Sequence, residues 1–277
     1  MLLATVLALT AAALHAGWNL IAKTSDDREL ALVGQFVVGG LVAAALVPVV
    51  GLPGGGALPW LIGSTAVHVV YVLALVQAYH HGDFSFAYPV ARGGGALLAA
   101  IGGVALLDDH VTIGSWFAFA LVAAGLAGLV GTRPTRRSIV WAAITAVTIG
   151  AYTTIDAHGA RISASGQSYG LSLLALTGVA MAVVGLARGR RRDLVASLPT
   201  AWWRYLVAGV CGVAAYTLVL VAVRYAPVGY VTMLRESSVV LAALAGWLFL
   251  HEPMGERRLV CSGVILAGLI TLVASSA

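Results

Sequence analysis

The sequence predicts an all-α membrane protein of ten transmembrane helices, and three observations carry that reading. The chain is 60% hydrophobic and 10% charged, against roughly 25% charged residues in a soluble domain. Too few charges exist to cover a water-exposed surface. Apolar runs of about 20 residues, the length a helix needs to span a hydrocarbon core, recur along all 277 residues. These runs are continuously apolar rather than alternating, which excludes a transmembrane β-barrel. Ten spans with short loops use up the chain and leave no room for a soluble catalytic domain.

The first span is residues 2–22. It lacks a basic leading segment and runs into Trp18, Asn19 and Lys23 instead of a small-residue cleavage site, so it reads as a helix and not as a signal peptide. The polar stretch Thr24 to Glu29 ends it, and a second span follows at 30–50. Pro53 and three glycines make the next turn, before spans at 58–80 and 84–107. Asp108, Asp109 and His110 break the chain ahead of 113–131. The spans 138–158, 168–187, 201–224, 228–250 and 258–275 complete the set, with a basic break from Arg188 to Asp193. Cys211 and Cys261 sit singly inside apolar runs, so neither a disulfide scaffold nor a metal cluster is expected, and no cofactor is called for.

The net charge of +5 suggests nucleic acid only until the charges are located. Of 16 Lys and Arg residues, twelve fall in or beside the odd-numbered loops: Lys23, Arg28, Arg133, Arg136, Arg137, Arg188, Arg190, Arg191, Arg192, Arg204, Arg257 and Arg258. Only Arg161 and Arg224 lie on the other side, and Arg92 and Arg235 are inside spans. Basic loops stay cytoplasmic, so both termini are expected to face outward, across a cell membrane of the prokaryotic inner-membrane kind. The expected partners are the bilayer and a small-molecule substrate, with no nucleic acid, in a monomer or homodimer.

The stretch from Pro89 to Val130 aligns with Thr232 to Val273 at a constant offset of 143. Arg92 then matches Arg235, Asp109 matches Glu252, and Gly125 matches Gly268. Tyr71 matches Tyr216 after a two-residue loop difference. Gly17-Trp18-Asn19 faces Ala151-Tyr152-Thr153 more loosely. Residues 1–131 thus form one repeat and 138–277 a second, joined by a basic linker at 132–137. Each repeat holds five spans, an odd number, so the second enters the membrane inverted. Inverted repeats are a recurring transporter design, with the site near the midplane between the halves.

The run Arg235 … Leu241-Ala242-Ala243-Leu244-Ala245-Gly246-Trp247-Leu248-Phe249-Leu250-His251-Glu252-Pro253, then Gly263-Val264-Ile265-Leu266-Ala267-Gly268, resembles the EamA-type repeat of the drug/metabolite transporter superfamily. The first half repeats the pattern with Asp109 in place of the Glu. The opening His15-Ala16-Gly17-Trp18-Asn19-Leu20-Ile21-Ala22-Lys23 is similar to the first helix of a subset of that family. The resemblance implies a ten-helix transporter with a central cavity, and it implies no particular substrate.

Charge inside a span costs about 2.5–3.5 kcal/mol near a helix centre, so Arg92, Arg235 and Glu236 are expected to face the bundle interior. Approaching the midplane from opposite sides, two guanidinium groups would suit a carboxylate, phosphate or phosphonate gripped bidentately. The blander alternative has Arg92 snorkelling to the interface, or Arg235 pairing with a buried acid. Glu236 reads either as an arginine's counter-ion or as a proton-coupling carboxylate. Asp156, His15, His68 and His158 are further candidates for coupling, although a histidine on an apolar helix is often a packing residue and Asp156 could mark a helix end. Lys23 is an inner gate or a snorkelling helix end.

Tyr88-Pro89 before Arg92 and Gly93-Gly94-Gly95 after it would either weaken the helix there or let neighbours pack closely. Trp18, Asn19, Tyr71, Tyr88, Tyr152 and Tyr216 are candidate cavity-lining groups, whereas Trp60, Trp202 and Trp203 suit an interfacial belt. Asp109 and Glu252 read as structural, capping the following helix or bonding loop amides. No catalytic pair, histidine cluster or phosphate loop occurs, so an enzyme is not expected. The sequence therefore points to alternating-access transport of a small anionic or zwitterionic metabolite, such as an amino acid, a carboxylate or a phosphonate or phosphate compound. A lipid-linked-substrate flippase and a cationic-drug exporter are the alternatives.

Overall fold

Long apolar stretches must close their backbone hydrogen bonds internally when no water is present, and helices do this within one segment. The structure, a computed structural model, describes residues 1–23, 25, 27–81, 84–130, 134–250 and 255–276, without the side chains of 19–23, 28, 79, 84–85, 245–246 and 249–250. The expectations placed on Glu252 and on the side chains of Asn19 and Lys23 lie outside these described residues. The helices are α1 (Leu2–Lys23), α2 (Arg28–Val50), α3 (Leu58–His81), α4 (Phe84–Leu106), α5 (Ile113–Gly128) and α6 (Arg136–Ile162). They continue as α7 (Gly166–Ala187), α8 (Arg191–Ala222), α9 (Val228–Arg235), α10 (Ser237–Leu250) and α11 (Glu256–Ser275), with a 3-10 turn at Gly55–Ala57 before α3. No strand occurs among the described residues. Among the described residues, seven helices are long and apolar enough to cross a membrane, and Leu2–Trp18 of α1 and Ile113–Gly128 are shorter apolar stretches. The chain is an all-helical, multi-pass membrane protein.

Local chemistry sets the helix starts. The side chains of Asp27, Thr112 and Thr135 accept from the amides of Leu30, Ser115 and Ser138, and Ser165 makes a reciprocal capping box with Ser168. Two boundaries exceed the sequence expectation. The break expected at Arg188 to Asp193 is shorter, because Arg191 to Asp193 form the first turn of α8; charged residues at a helix end can keep their heads in water beyond the apolar span. Asp156 marks no helix end, since α6 runs six residues further to Ile162.

A larger difference concerns α4 and α9. The proline and glycines around Arg92 leave α4 continuous. The expected span 228–250 is broken instead, at Glu236, which lies between α9 and α10. There the Glu236 amide bonds back to Met233 and Leu234, and Ser237 Oγ donates to the Leu234 carbonyl at 2.7 Å. A side chain that takes over a backbone carbonyl is a recognised cause of a kink.

Small residues let the helices approach. A methyl group added to Gly40 on α2 would lie 2.6 Å from Gly178 Cα on α7, so neither glycine tolerates a side chain at that crossing. At the α5–α11 crossing, Gly125 faces Cys261 and Ile265, and Gly268 faces Ala118 and Val122. Helix α1 packs on α8, α3 on α6, α2 on α7, and α4 on α6 and α9.

Hydrogen bonds sort the connections into two ends. At one, Arg188 pairs with Glu29 at 2.5 Å, Arg190 pairs with Asp27, and Arg257 Nε donates to the Gly128 carbonyl at 2.7 Å. At the other, Ala164 bonds Pro53, and Thr112 and Ser115 contact Ser275 near the C-terminus. The exceptions to the charge bias are explained at this second end. Arg224 donates to the carbonyls of Ala160 and Ser163 at 2.6 and 2.7 Å, closing the end of α6. Arg161 pairs with Asp109 at 2.7 Å and donates to the Val223 carbonyl at 2.9 Å. Asp109 in turn accepts from the Val228 amide at 2.6 Å. It therefore caps α9 across the bundle and not the following helix α5, which Thr112 caps. Asp108, with a φ of 54°, turns the chain so that Asp109 can reach.

Candidate functional site

The middle of the bundle holds a cavity of about 80 Å³ that is partly open to solvent. Six helices bring costly polar or aromatic side chains there. Helix α1 supplies His15 and Trp18, α3 His68 and Tyr71, and α4 Arg92. Helices α6, α8 and α9 add Tyr152, Tyr216 and Arg235. All eight were singled out in the sequence, and one hollow gathers them.

The two matched arginines differ in their surroundings. Arg92, 8% exposed, donates to Glu236 Oε1 at 2.7 Å. Glu236 is thus an arginine's counter-ion. It is 2% exposed and is not among the residues lining the cavity. The snorkelling alternative for Arg92 is overturned, because its guanidinium is buried and paired. Arg235 is 7% exposed, and no hydrogen bond or ion pair joins its guanidinium to any described residue. Its Nε is buried without a partner, and its guanidinium carbon lies 5.7 Å from the Tyr216 ring centroid. That distance is within cation–π range. A symmetric clamp of two free guanidinium groups is therefore replaced by one neutralised arginine beside one unneutralised one.

The aromatic side chains form a connected wall. His68 stacks on Tyr152 with ring centroids 4.0 Å apart, and meets Tyr71 and Tyr216 edge-on. Its Nδ1 lies 3.0 Å from the Ser64 carbonyl and 3.1 Å from the Ser64 hydroxyl. On the neighbouring helix, Trp18 Nε1 donates to His15 Nδ1 at 3.2 Å.

Asp156 is fully buried and does not line the cavity. Its two oxygens accept from Tyr169 at 3.0 Å and Tyr216 at 2.5 Å. Tyr216 therefore links a carboxylate to the face of a ring that lies against Arg235. Tyr88 is half-buried and outside the cavity lining, and His158 packs against Trp60 with centroids 4.2 Å apart. Trp202 and Trp203 are exposed, as a belt requires.

Sequence reasoning missed Gln35 and Phe36 of α2, which line the cavity, and Tyr169, which holds Asp156. A lone amide within an otherwise apolar span was a signal available for Gln35. The glycines after Arg92 serve packing: a methyl on Gly95 would lie 2.4 Å from Ile149 of α6.

An all-helical membrane bundle around a polar hollow is the architecture of a membrane transporter, and the comparisons agree. The family described as "EamA-like transporter family" matches residues 136–274, and the chain belongs to that family, within the drug/metabolite transporter superfamily. Twenty-eight chains of solved structures match. One, titled "Crystal structure of protein", is 18% identical with a TM-score of 0.77, over 98% of this chain and 96% of that one. At that identity it shares the fold alone. The search of curated proteins returned no match.

Proposed function

We propose that the protein moves a small metabolite bearing an anionic group across the membrane by alternating access, and that Arg235 grips that group. The single observation behind this is a buried guanidinium at the cavity wall that no described carboxylate neutralises. Leaving such a charge in a low-dielectric interior is costly, and an incoming carboxylate, phosphonate or sulfonate relieves the cost while accepting two hydrogen bonds. A cationic cargo would meet repulsion at the same place.

Two inverted five-helix halves, 1–131 and 138–277, fit this mechanism. In their support, the contact of Gly125 with Cys261 and Ile265 becomes, under the offset of 143, that of Gly268 with Ala118 and Val122. The pairing of α1 with α8 likewise mirrors that of α3 with α6. Such halves can exchange shapes and so expose the site to either side. The end bearing most of the basic residues is assigned to the cytoplasm of a prokaryotic inner membrane, which places both termini outside. The Arg161–Asp109–Val228 network closes the outer end. The cavity lining includes Trp18 in the second half of α1 and Gln35 in the first half of α2, both toward the inner end.

The test is uptake of radiolabelled small carboxylates and sulfonates into vesicles holding the purified protein. Wild type is expected to accumulate or release at least one of them and Arg235→Gln none, with unchanged folding. Equal transport by the variant would remove Arg235 from the mechanism.

A further inference from the structure

Four formal charges are buried among the described residues: Arg92, Arg235, Glu236 and Asp156. They cancel. A monoanion seated on Arg235, as the reading above places it, leaves this low-dielectric centre with one excess negative charge, a state that burial strongly opposes. Uptake of one proton restores neutrality. Of the two carboxylates, Glu236 is held by the Arg92 guanidinium at 2.7 Å. Asp156 has only hydroxyl donors, Tyr169, Tyr216 and Ser64, and no cationic group within ion-pair distance.

We propose that the anion travels with a proton and that Asp156 is the residue that takes it. The inference rests on the anion-site reading of Arg235. The step is a simple transfer: a proton from water on the side to which the cavity is open bonds to one Asp156 oxygen. The hydroxyl that donated to that oxygen then rotates and accepts from the new carboxylic acid. No covalent bond of the cargo changes, and the proton leaves with the anion on the far side. Tyr216 makes the two sites communicate, because its hydroxyl reaches Asp156 while its ring lies against Arg235.

The groups around Asp156 are consistent with this assignment. Helix α3 presents His68, bonded to Ser64, and α7 and α8 present the two tyrosines. Tyr152 is the titratable neighbour on α6 itself. Helices α4 and α9 contribute Arg92 and Arg235, neither within 4.0 Å of the carboxylate, and the 3-10 turn Gly55–Ala57 contributes no titratable group. His68 both lines the cavity and lies close enough to Asp156 to act on it electrostatically.

The test uses the full chain in detergent with methanesulfonate, a monoanion that has no titratable proton of its own. Thermal stabilisation reads binding, alkalinisation of a weakly buffered solution reads proton uptake, and difference infrared spectra with 13C-labelled aspartate identify the acceptor. The expected result is stabilisation, uptake of about one proton per bound anion from the charge balance, and a protonated-carboxyl band that moves with the label. Asp156→Asn is expected to take up none. Binding without uptake, uptake that persists in Asp156→Asn, or a band insensitive to the label would overturn the proposal and leave the anion site standing. Absence of any stabilisation by methanesulfonate would overturn the anion site itself. Should Asp156→Asn fail to fold, the labelled wild-type spectrum decides.

Discussion

Arg92 and Arg235 occupy the same place in two aligned stretches of sequence, yet one helix gives its arginine a carboxylate and the other does not. Helix α4 runs unbroken past Arg92. The aligned span breaks just after Arg235, and the residue at the break, Glu236, bonds Arg92 of α4 at 2.7 Å. The break thus spends the one nearby acid on Arg92 and leaves Arg235 facing the hollow. Duplicated sequence does not guarantee duplicated chemistry, because one turn of irregular backbone redirects a charge.

The largest effect expected from disturbing this arrangement is on stability. Glu236→Gln leaves Arg92 buried without its counter-charge, which costs about 3–5 kcal/mol, read by thermal or denaturant unfolding in detergent. Replacing both partners by methionine is expected to recover most of that loss, since an apolar pair carries no desolvation penalty. A Glu236→Gln protein as stable as wild type would break the comparison at its root.

Arg235→Ala is expected to behave in the opposite way. No described partner is orphaned, so stability holds or rises. Anion binding weakens roughly 10–100-fold, the worth of a hydrogen bond to a charged group at about 1.5–3 kcal/mol. Titration with methanesulfonate measures this, and Arg92→Met with Glu236→Met should bind nearly as wild type does. A smaller effect is expected at the end of the bundle that holds Asp109 and Arg161. Arg161→Gln removes the partner of Asp109, which caps α9, and is expected to cost about 1 kcal/mol. Hydrogen exchange at the Val228 amide would sharpen the link between that closure and the helix carrying Arg235.

The smallest effect belongs to the opposite, exposed end, where Arg190 pairs with Asp27. Partial burial pushes the Asp27 carboxyl up, but the Leu30 amide and the Arg190 guanidinium outweigh it and hold the group below its ordinary value. A carboxylate lowered in this way adds stability above its unfolded value and loses it as pH falls through the folded one. Asp27→Asn is therefore expected to lose no more than about 0.5 kcal/mol at neutral pH and nothing in strong acid. Melting temperatures of both proteins at the two pH values check it.

Much of this was legible in the sequence because the membrane enforces it. Apolar run length gave the helices, and the rarity of buried charge marked Arg92, Arg235 and Glu236 as interior, whereas Asp156 read only as a coupling candidate or a helix end. That Glu236 serves an arginine was one of the two readings open to it, but that the arginine is Arg92 was not legible. The pairing depends on a break that Ser237 supports by bonding Leu234, whereas the visible breakers, Pro89 and three glycines, serve continuous packing. Asp109 was read as capping the following helix or bonding loop amides, and its target amide, Val228, was not legible because it is distant in sequence. Tyr169 gave no local sign that it would hold Asp156 across a helix pair.

The most direct measurement is bromide anomalous scattering from crystals of the protein. A bromide peak at hydrogen-bonding distance from the Arg235 guanidinium, with none beside Arg92, is the predicted result. A peak on Arg92, or an Arg235 turned onto a carboxylate, would contradict the account.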